Sequence, residues 1–413
     1  MELTESGGIE INTFARDQVN WQYIFMHDQC SPFYKRKLGA SPPFTSIKEV
    51  PFTTKEELRK IAKYDLLAVE KKHICHFHES SGTTGIPSAS WYTKRDLENG
   101  GKEITESGIN LSEEDMVLIR FPFSMFVPAF FVLHAAYQTG AGVVPASSRN
   151  TVTPYPKVIE LMIELEVTVF AGIPRELELL AETAGKLNMN IREAFPHLRG
   201  ILVAGELLSP NRKSYLERVW GVPIFNLYGS TETGNVARMC DSGVLHLSEE
   251  NYYVEVYDES LEKELHRGER GIAVITTLTN QGAPLLRYAS GDLISLHDSH
   301  CRCGSKLPEL RHYGRAADCL TIEDTKIGLY ELQEVVYSLD QVPLAWQVRE
   351  TEKGFHISTQ FLDPIPSKEE LAVQVAKHNL PGEVTLSFDE SLFDTSLLLD
   401  KEISRKPVYI VKK

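Results

Sequence analysis

The sequence predicts an α/β protein: a large N-terminal domain of layered helices and strands with a small β subdomain, followed by a small C-terminal α+β lid domain. Three observations carry that expectation. Between Met116 and Gly205, apolar strand-like runs alternate with amphipathic stretches, the pattern of a parallel sheet covered by helices. From Tyr252 the pattern changes to short β runs separated by turn residues. Beyond Gly314-Arg315 about another hundred residues follow, enough for a compact domain of mixed character.

In chain order, residues 1–75 read as mostly helical. Thr53-Thr54-Lys55-Glu56-Glu57-Leu58 is a helix start, with a threonine cap and acidic residues in the first turn. Met116–Arg120 and Gly142–Pro145 are strand-like. Pro156–Glu166 is an amphipathic helix with proline in its first turn, and Val167–Ala171 is a short buried strand. Arg175–Leu187 is helical, and Arg199–Gly205 is a strand that ends in a turn. Tyr253–Tyr257 and Gly271–Leu278 supply β runs to a subdomain spanning about 252–312. Residues 1–314 then form the large domain, 315–318 a hinge and 319–413 the lid, with Tyr330–Leu339 helical and Val384–Phe388 a strand.

With 413 residues the chain is long enough for two or three packed domains, and its 42% hydrophobic and 24% charged residues are ordinary for a globular protein. A formal charge of -14 argues against sequence-independent nucleic-acid binding, which needs clustered lysine and arginine. Met1–Asn20 has no apolar core of a signal peptide, and the most apolar run, Phe126–Tyr137, is too short to span a bilayer. Six cysteines are too few for a disulfide scaffold in so long a chain. These points together suggest a cytoplasmic protein, with neither nucleic acid nor membrane as partner.

Ser80-Ser81-Gly82-Thr83-Thr84-Gly85 can wrap a triphosphate. Glycine lets the backbone approach closely, and amide and hydroxyl donors can point at phosphate oxygens. Alone, the segment fits a flexible surface loop equally well. It is followed, in order, by Tyr228-Gly229-Ser230-Thr231-Glu232, by Arg287-Tyr288-Ala289-Ser290-Gly291-Asp292 and by Gly314-Arg315. The order and rough spacing of these four segments resemble the adenylate-forming superfamily, which joins a carboxylic acid to ATP as an acyl-AMP. From about Phe52 onward the chain is similar to the phenylacetate-CoA ligase branch. Ile86-Pro87-Ser88, which lacks the lysine of other branches, and Trp91-Tyr92-Thr93 agree with that likeness.

The resemblance implies roles. It gathers Ser81, Gly82, Thr83, Thr84, Gly85, Gly205, Glu206, Tyr228, Gly229, Ser230, Thr231 and Asp292 around the nucleotide. Thr83 and Thr84 would meet the phosphates, Tyr228 would lie along the adenine, and Asp292 would accept from both ribose hydroxyls. Glu232 would hold Mg2+, a hard cation that prefers carboxylate and phosphate oxygen. Arg315 would reach ribose and phosphate from the hinge, since charge builds on the α-phosphate during attack. Ile403-Ser404-Arg405-Lys406-Pro407 resembles the family's Ser-Gly-Lys tail and makes Lys406 the catalytic lysine, with Lys401 and a merely solvated basic tail as alternatives.

Cys240, His246, Cys301 and Cys303 offer three thiolates and an imidazole, a set suited to tetrahedral Zn2+. Members of the branch carry a similar set; His300 competes with His246 as a ligand. Cys30, Cys75 and Cys319 read as buried thiols. His76 and His78 fall on one face of a strand and read as packing or polar lining. Phe121, Phe123, Phe126, Phe130 and Phe131 crowd the region where relatives build the acyl pocket, and fit an ordinary core as well.

Two positions depart from the branch: Ala317 stands at the usual first aspartate of the hinge, and Asp324 at a glycine that lets the lid approach the thiol tunnel. The expected activity is ATP-dependent conversion of an aryl carboxylic acid, best matched to a dihydroxybenzoate, to acyl-AMP with release of pyrophosphate. The acyl group would pass to the phosphopantetheine thiol of an aryl carrier protein, resembling catechol siderophore assembly from 3,4-dihydroxybenzoate (petrobactin type). Alternatives are an aryl-CoA ligase of the phenylacetate type, an amide synthetase that uses the same acyl-AMP, and a nucleotide-binding relative without catalysis.

Overall fold

The computed structural model describes residues 31–39, 46–80, 86–322 and 324–399, with the backbone of Ile410–Val411. Ser81–Gly85, Lys401, Lys406 and Cys30 lie outside the described residues.

Three strands precede the main layers. β1 (Thr53–Thr54) later joins the main sheet, and β2 (Ile74–Glu79) and β3 (Ala89–Thr93) form an antiparallel hairpin. Then come β4 (Met116–Ile119), β5 (Gly142–Val144), β6 (Val169–Gly172), β7 (Gly200–Val203) and β8 (Ile224–Ser230). They pair in parallel in the order β5-β4-β6-β7-β8. Their near-continuous apolar character follows from burial on both faces. Val117, Ile119, Val169, Ala171 and Leu202 face one core layer, while Leu118, Phe170, Ile201 and Val203 face the other.

The helices that fill these layers are α1 (Pro32–Leu38), α2 (Lys55–Lys60), α3 (Lys94–Thr105), α4 (Val127–Thr139), α5 (Tyr155–Glu164), α6 (Pro174–Lys186), α7 (Ile191–Ala194) and α8 (Pro210–Trp220). Leu97 and Ile104 of α3 and Val132 and Ala135 of α4 cover the first layer. Val158 of α5, Leu177 and Leu180 of α6 and Leu216 of α8 cover the second. Thr93 caps α3 in a reciprocal box with Asp96, and α4, α5, α6 and α8 each begin with proline in the first turn, where its missing N–H costs nothing.

The β runs expected of a subdomain within the large domain extend the parallel sheet. β9 (Gly234–Met239), β10 (Leu245–Leu247), β11 (Tyr252–Tyr257), β12 (Gly271–Thr277), β13 (Tyr288–His297) and β14 (Glu309–Arg315) continue the same sheet antiparallel from β8. Pairing passes without a break through the β8–β9 hairpin, so 12 strands share one sheet among the described residues. The mostly helical start expected over residues 1–75 falls largely outside the described residues, and within them it does not hold. Among the described residues before 75, only α1 and α2 are α-helical, and Thr53-Thr54 is drawn into β1 by pairing with Tyr288 and Ala289.

The lid contains β15 (Leu320–Ile322), β16 (Thr325–Ile327), α9 (Leu329–Val336), β17 (Ala345–Glu350), β18 (Gly354–Gln360), α10 (Lys368–Ala376), β19 (Glu383–Phe388) and β20 (Ile410–Val411). A four-stranded sheet in the order β19-β18-β17-β20 packs on α9 and α10 through Leu332, Val335, Val348, Phe355, Ile357 and Leu371. No helix among the described residues is long and apolar enough to cross a membrane.

Candidate functional site

Three of the expected nucleotide residues converge. Tyr228 leaves β8 and donates from its hydroxyl to Asp292 Oδ2 at 3.1 Å. Asp292, on β13, is registered opposite Arg315 on β14, whose Nε lies 3.6 Å from Asp292 Oδ1. β8 and β13 are not neighbours in the sheet, so the sheet must curl to bring these side chains together. Burial raises the Tyr228 phenol well above its ordinary pKa, and the Asp292 charge adds to this, so the hydroxyl remains a donor at neutral pH. His312 stacks at an angle on Tyr228 at 4.7 Å, with its Nε2 buried and without a hydrogen-bond partner.

Glu232 sits in the turn that follows β8 and is buried. Its Oε1 accepts from the hydroxyl of Ser88. Ser230 and Thr233 brace the turn through reciprocal backbone and hydroxyl bonds, and Tyr92 donates to the Thr231 carbonyl at 2.6 Å. The phenol of Tyr288 is raised well above its ordinary pKa, first by burial and then by the negative charges of Glu232 and Asp292.

A cavity of about 40 Å³ opens beside this turn. Phe126, Val127, Phe131 and Leu227 give it an apolar wall, and Ser230, Thr231 and Asn235 a polar one. Two glycines make room for it. Gly205 has φ +82, and a Cβ there would come within 2.6 Å of the Phe126 ring. A Cβ on Gly229 would meet the Gly234 carbonyl at 1.9 Å. The five phenylalanines share one core cluster, in which Phe126 and Phe131 line the cavity, Phe121 is wholly buried, and Phe123 and Phe130 meet edge to face at 5.4 Å. Phe130 carries the rings of His76 and His78 at 4.5 and 5.3 Å, which bears out a shared strand face. Burial lowers His78 to about 4, so it is neutral at physiological pH.

The thiol and imidazole cluster forms as expected. The ligand atoms of Cys240, His246, Cys301 and Cys303 all lie within 4.8 Å of one another. Cys240 Sγ is 3.6 Å from Cys301 Sγ, and Cys303 Sγ is 3.4 Å from His246 Nε2. A regular tetrahedron with metal–sulfur bonds of about 2.3 Å has sulfur–sulfur edges of about 3.8 Å, so the spacing fits. His246 Nδ1 lies 3.0 Å from the Leu307 carbonyl, which fixes the ring and leaves Nε2 for a ligand role. His246 completes the set, and His300 does not.

Other expected residues sit differently. Glu206 turns to Arg212 at 3.1 Å, its Oε1 buried without a partner. Arg287, in the motif before Asp292, binds Glu255 and the carbonyls of Lys48 and Val50, tying the N-terminal segment to the sheet. Cys75 is exposed and Cys319 half-buried, correcting the expectation of buried thiols. Asp324 has φ +63, a conformation glycine favours and aspartate tolerates, so the backbone form of the glycine position is kept without the glycine. Ser88 and His312 carry no motif signal of their own. Ser88 entered the sequence reading only within Ile86-Pro87-Ser88, with no role of its own.

Residues 36–277 match the AMP-binding enzyme family. The chain is 27% identical over 337 residues to the phenylacetate-coenzyme A ligase of Thermus thermophilus, covering 78% of this chain and 74% of that protein. It is 24% identical to the phenylacetate-coenzyme A ligase of Escherichia coli, covering 88% and 83%. In fold it is similar to 2-hydroxyisobutyryl-CoA ligase in the postadenylation state, with a TM-score of 0.81 at 20% identity over 97% of this chain and 88% of that one. Against the thioesterification state of that same ligase, the TM-score is 0.67 at 19% identity over 97% and 90%. As a whole, this chain superposes better on the first of these two.

Proposed function

Because the chain belongs to the AMP-binding enzyme family, as an AMP-forming carboxylate ligase of the phenylacetate-CoA ligase-like branch, we propose that its acid is aromatic and its acceptor a thiol. The observation that carries the reading is the meeting of Tyr228, Asp292 and Arg315 beside Glu232 and a cavity with an apolar wall. The acid's carboxylate attacks the α-phosphorus of ATP and pyrophosphate leaves; a thiol sulfur then attacks the acyl carbon and AMP leaves. Asp292 accepts from the ribose hydroxyls, and Arg315 pairs with developing phosphate charge. A divalent cation on Glu232 would neutralise phosphate charge.

The relatives' names support CoA as the acceptor. The polar wall of Ser230, Thr231 and Asn235 supports a second reading of the acid alone, a hydroxylated one such as a dihydroxybenzoate. Carboxylate-dependent pyrophosphate exchange over benzoic, hydroxybenzoic, phenylacetic and fatty acids separates the acids. Thioester formation with CoA against a phosphopantetheinylated carrier then separates the acceptors. Exchange with fatty acids alone would reject the aromatic reading.

Cys240, His246, Cys301 and Cys303 suit a structural Zn2+, because four protein ligands leave no open position for chemistry. Metal analysis should find one zinc per chain. Protein free of metal yet as stable as its Cys301→Ser variant would remove the assignment.

A further inference from the structure

The hairpin of β2 and β3 ends at Glu79 opposite Ala89, and the next residues inward, Ser80 and Ser88, bracket the segment that the sequence assigns to phosphate binding. Ser80 N donates to the Ser88 carbonyl at 3.0 Å, and Ser88 N donates back to Ser80 Oγ at 2.9 Å. The two hydroxyl oxygens are 3.0 Å apart. Ser88 is fully buried, and its hydroxyl donates to Glu232 Oε1.

A serine hydroxyl has one proton. The Glu232 carboxylate accepts only, so it takes the Ser88 proton, and the bond between the hydroxyls must run from Ser80 to Ser88. The relay then has one direction: Ser80 to Ser88 to Glu232. Glu232 Oε2 has no hydrogen bond to any described residue, so one oxygen is held and the other left to meet a cation. Ser88 thus joins the base of the phosphate segment to a carboxylate 144 positions away in sequence.

We propose that Ser88 is a positioning residue. It orients the Glu232 carboxylate for a divalent cation and registers that cation with the bound triphosphate. The inference rests on the reading of the site as an ATP site. A hydrogen-bond donor behind a ligating carboxylate sets its rotation, and its loss costs about 10- to 100-fold in metal affinity.

The test is ATP affinity by titration calorimetry with and without Mg2+, in the wild type, Ser88→Ala and Ser88→Thr. The wild type binds ATP more tightly with Mg2+. Ser88→Ala should lose about tenfold or more of that gain, keep its metal-free ATP affinity, and raise the Mg2+ concentration for half-maximal pyrophosphate exchange. Ser88→Thr, which keeps the hydroxyl, should restore both. Where Ser88→Ala does not fold, Ser88→Cys keeps the volume and weakens the donor, and should show the same loss. A variant that retains the full Mg2+ gain, or that loses metal-free affinity by the same factor, overturns the positioning role. A wild type with no Mg2+-dependent gain overturns the ATP reading and this inference with it.

Discussion

Asp292 holds a Tyr228 hydroxyl on one carboxylate oxygen and faces the Arg315 guanidinium on the other, so both charge and shape are committed at one side chain. Asp292→Asn keeps the shape and removes the charge. ATP affinity should fall about ten- to hundredfold, the scale of losing charged hydrogen bonds, while the melting temperature moves little. Equal affinity in that variant would take Asp292 out of the nucleotide site. Tyr228, Glu232, Asp292 and Arg315 were legible in the sequence because each belongs to an ordered motif whose residue types suit phosphate and ribose. Ser88 and His312 were not, because a lone serine or histidine gains meaning only from what packs against it.

Among the elements, the start of β4 is tied to its neighbours through one acid. Asp115 is buried and accepts from Arg199 Nη2 at 2.6 Å, from Thr168 Oγ1 at 2.7 Å and from Ser112 N at 2.8 Å. Burial pushes its pKa up, but the Arg199, Thr168 and Ser112 bonds outweigh that and hold it at about 2. The unfolded chain, with a carboxyl near its ordinary value of about 4, takes up the proton first. The stabilisation is therefore fully present above about pH 4 and is lost as pH falls toward 2. Asp115→Asn should melt lower at neutral pH and show a flatter decline across that acid window; an unchanged acid profile would deny the role. The parallel strands were readable because burial on both faces writes continuous apolar runs. The helix start at Thr54 was readable from its cap and acidic first turn, whereas the pairing of Thr53-Thr54 with β13 was not, because it depends on residues more than two hundred positions away. The unbroken sheet was missed for the same reason: pairing across a hairpin leaves no local mark that two halves share it.

Across the whole molecule, polar contacts seat the lid on the larger part of the chain. Tyr337 donates to Glu178 at 2.7 Å, Asn211 Nδ2 donates to the Glu334 carbonyl at 2.8 Å, and Arg270 pairs with Glu331 at 2.6 Å. The solved 2-hydroxyisobutyryl-CoA ligase is described in both a postadenylation and a thioesterification state, and this chain superposes better on the first. Tyr337→Phe removes one of the contacts and should shift the balance toward the second form. Thiol-dependent AMP release should rise severalfold relative to pyrophosphate exchange; an unchanged ratio would mean that this contact does not restrain the lid. The order of motifs made the family legible over most of the chain. The seat of the lid was not, since it depends on surfaces from separate domains that no single stretch encodes.

The cysteine and histidine cluster has a consequence for the protein on the bench. If zinc fills the cluster as proposed, its sulfurs are metal thiolates; without an ion, Cys240 Sγ and Cys301 Sγ sit 3.6 Å apart, and a shift of about 1.6 Å would bring them to disulfide distance. Chelated protein left in air should lose two titratable thiols and resist reloading until it is reduced, whereas protein kept with zinc should keep its full count. On this view the metal preserves the chain as much as it braces it. A thiol count that stays constant through chelation and air exposure would show that the cluster needs no such guard.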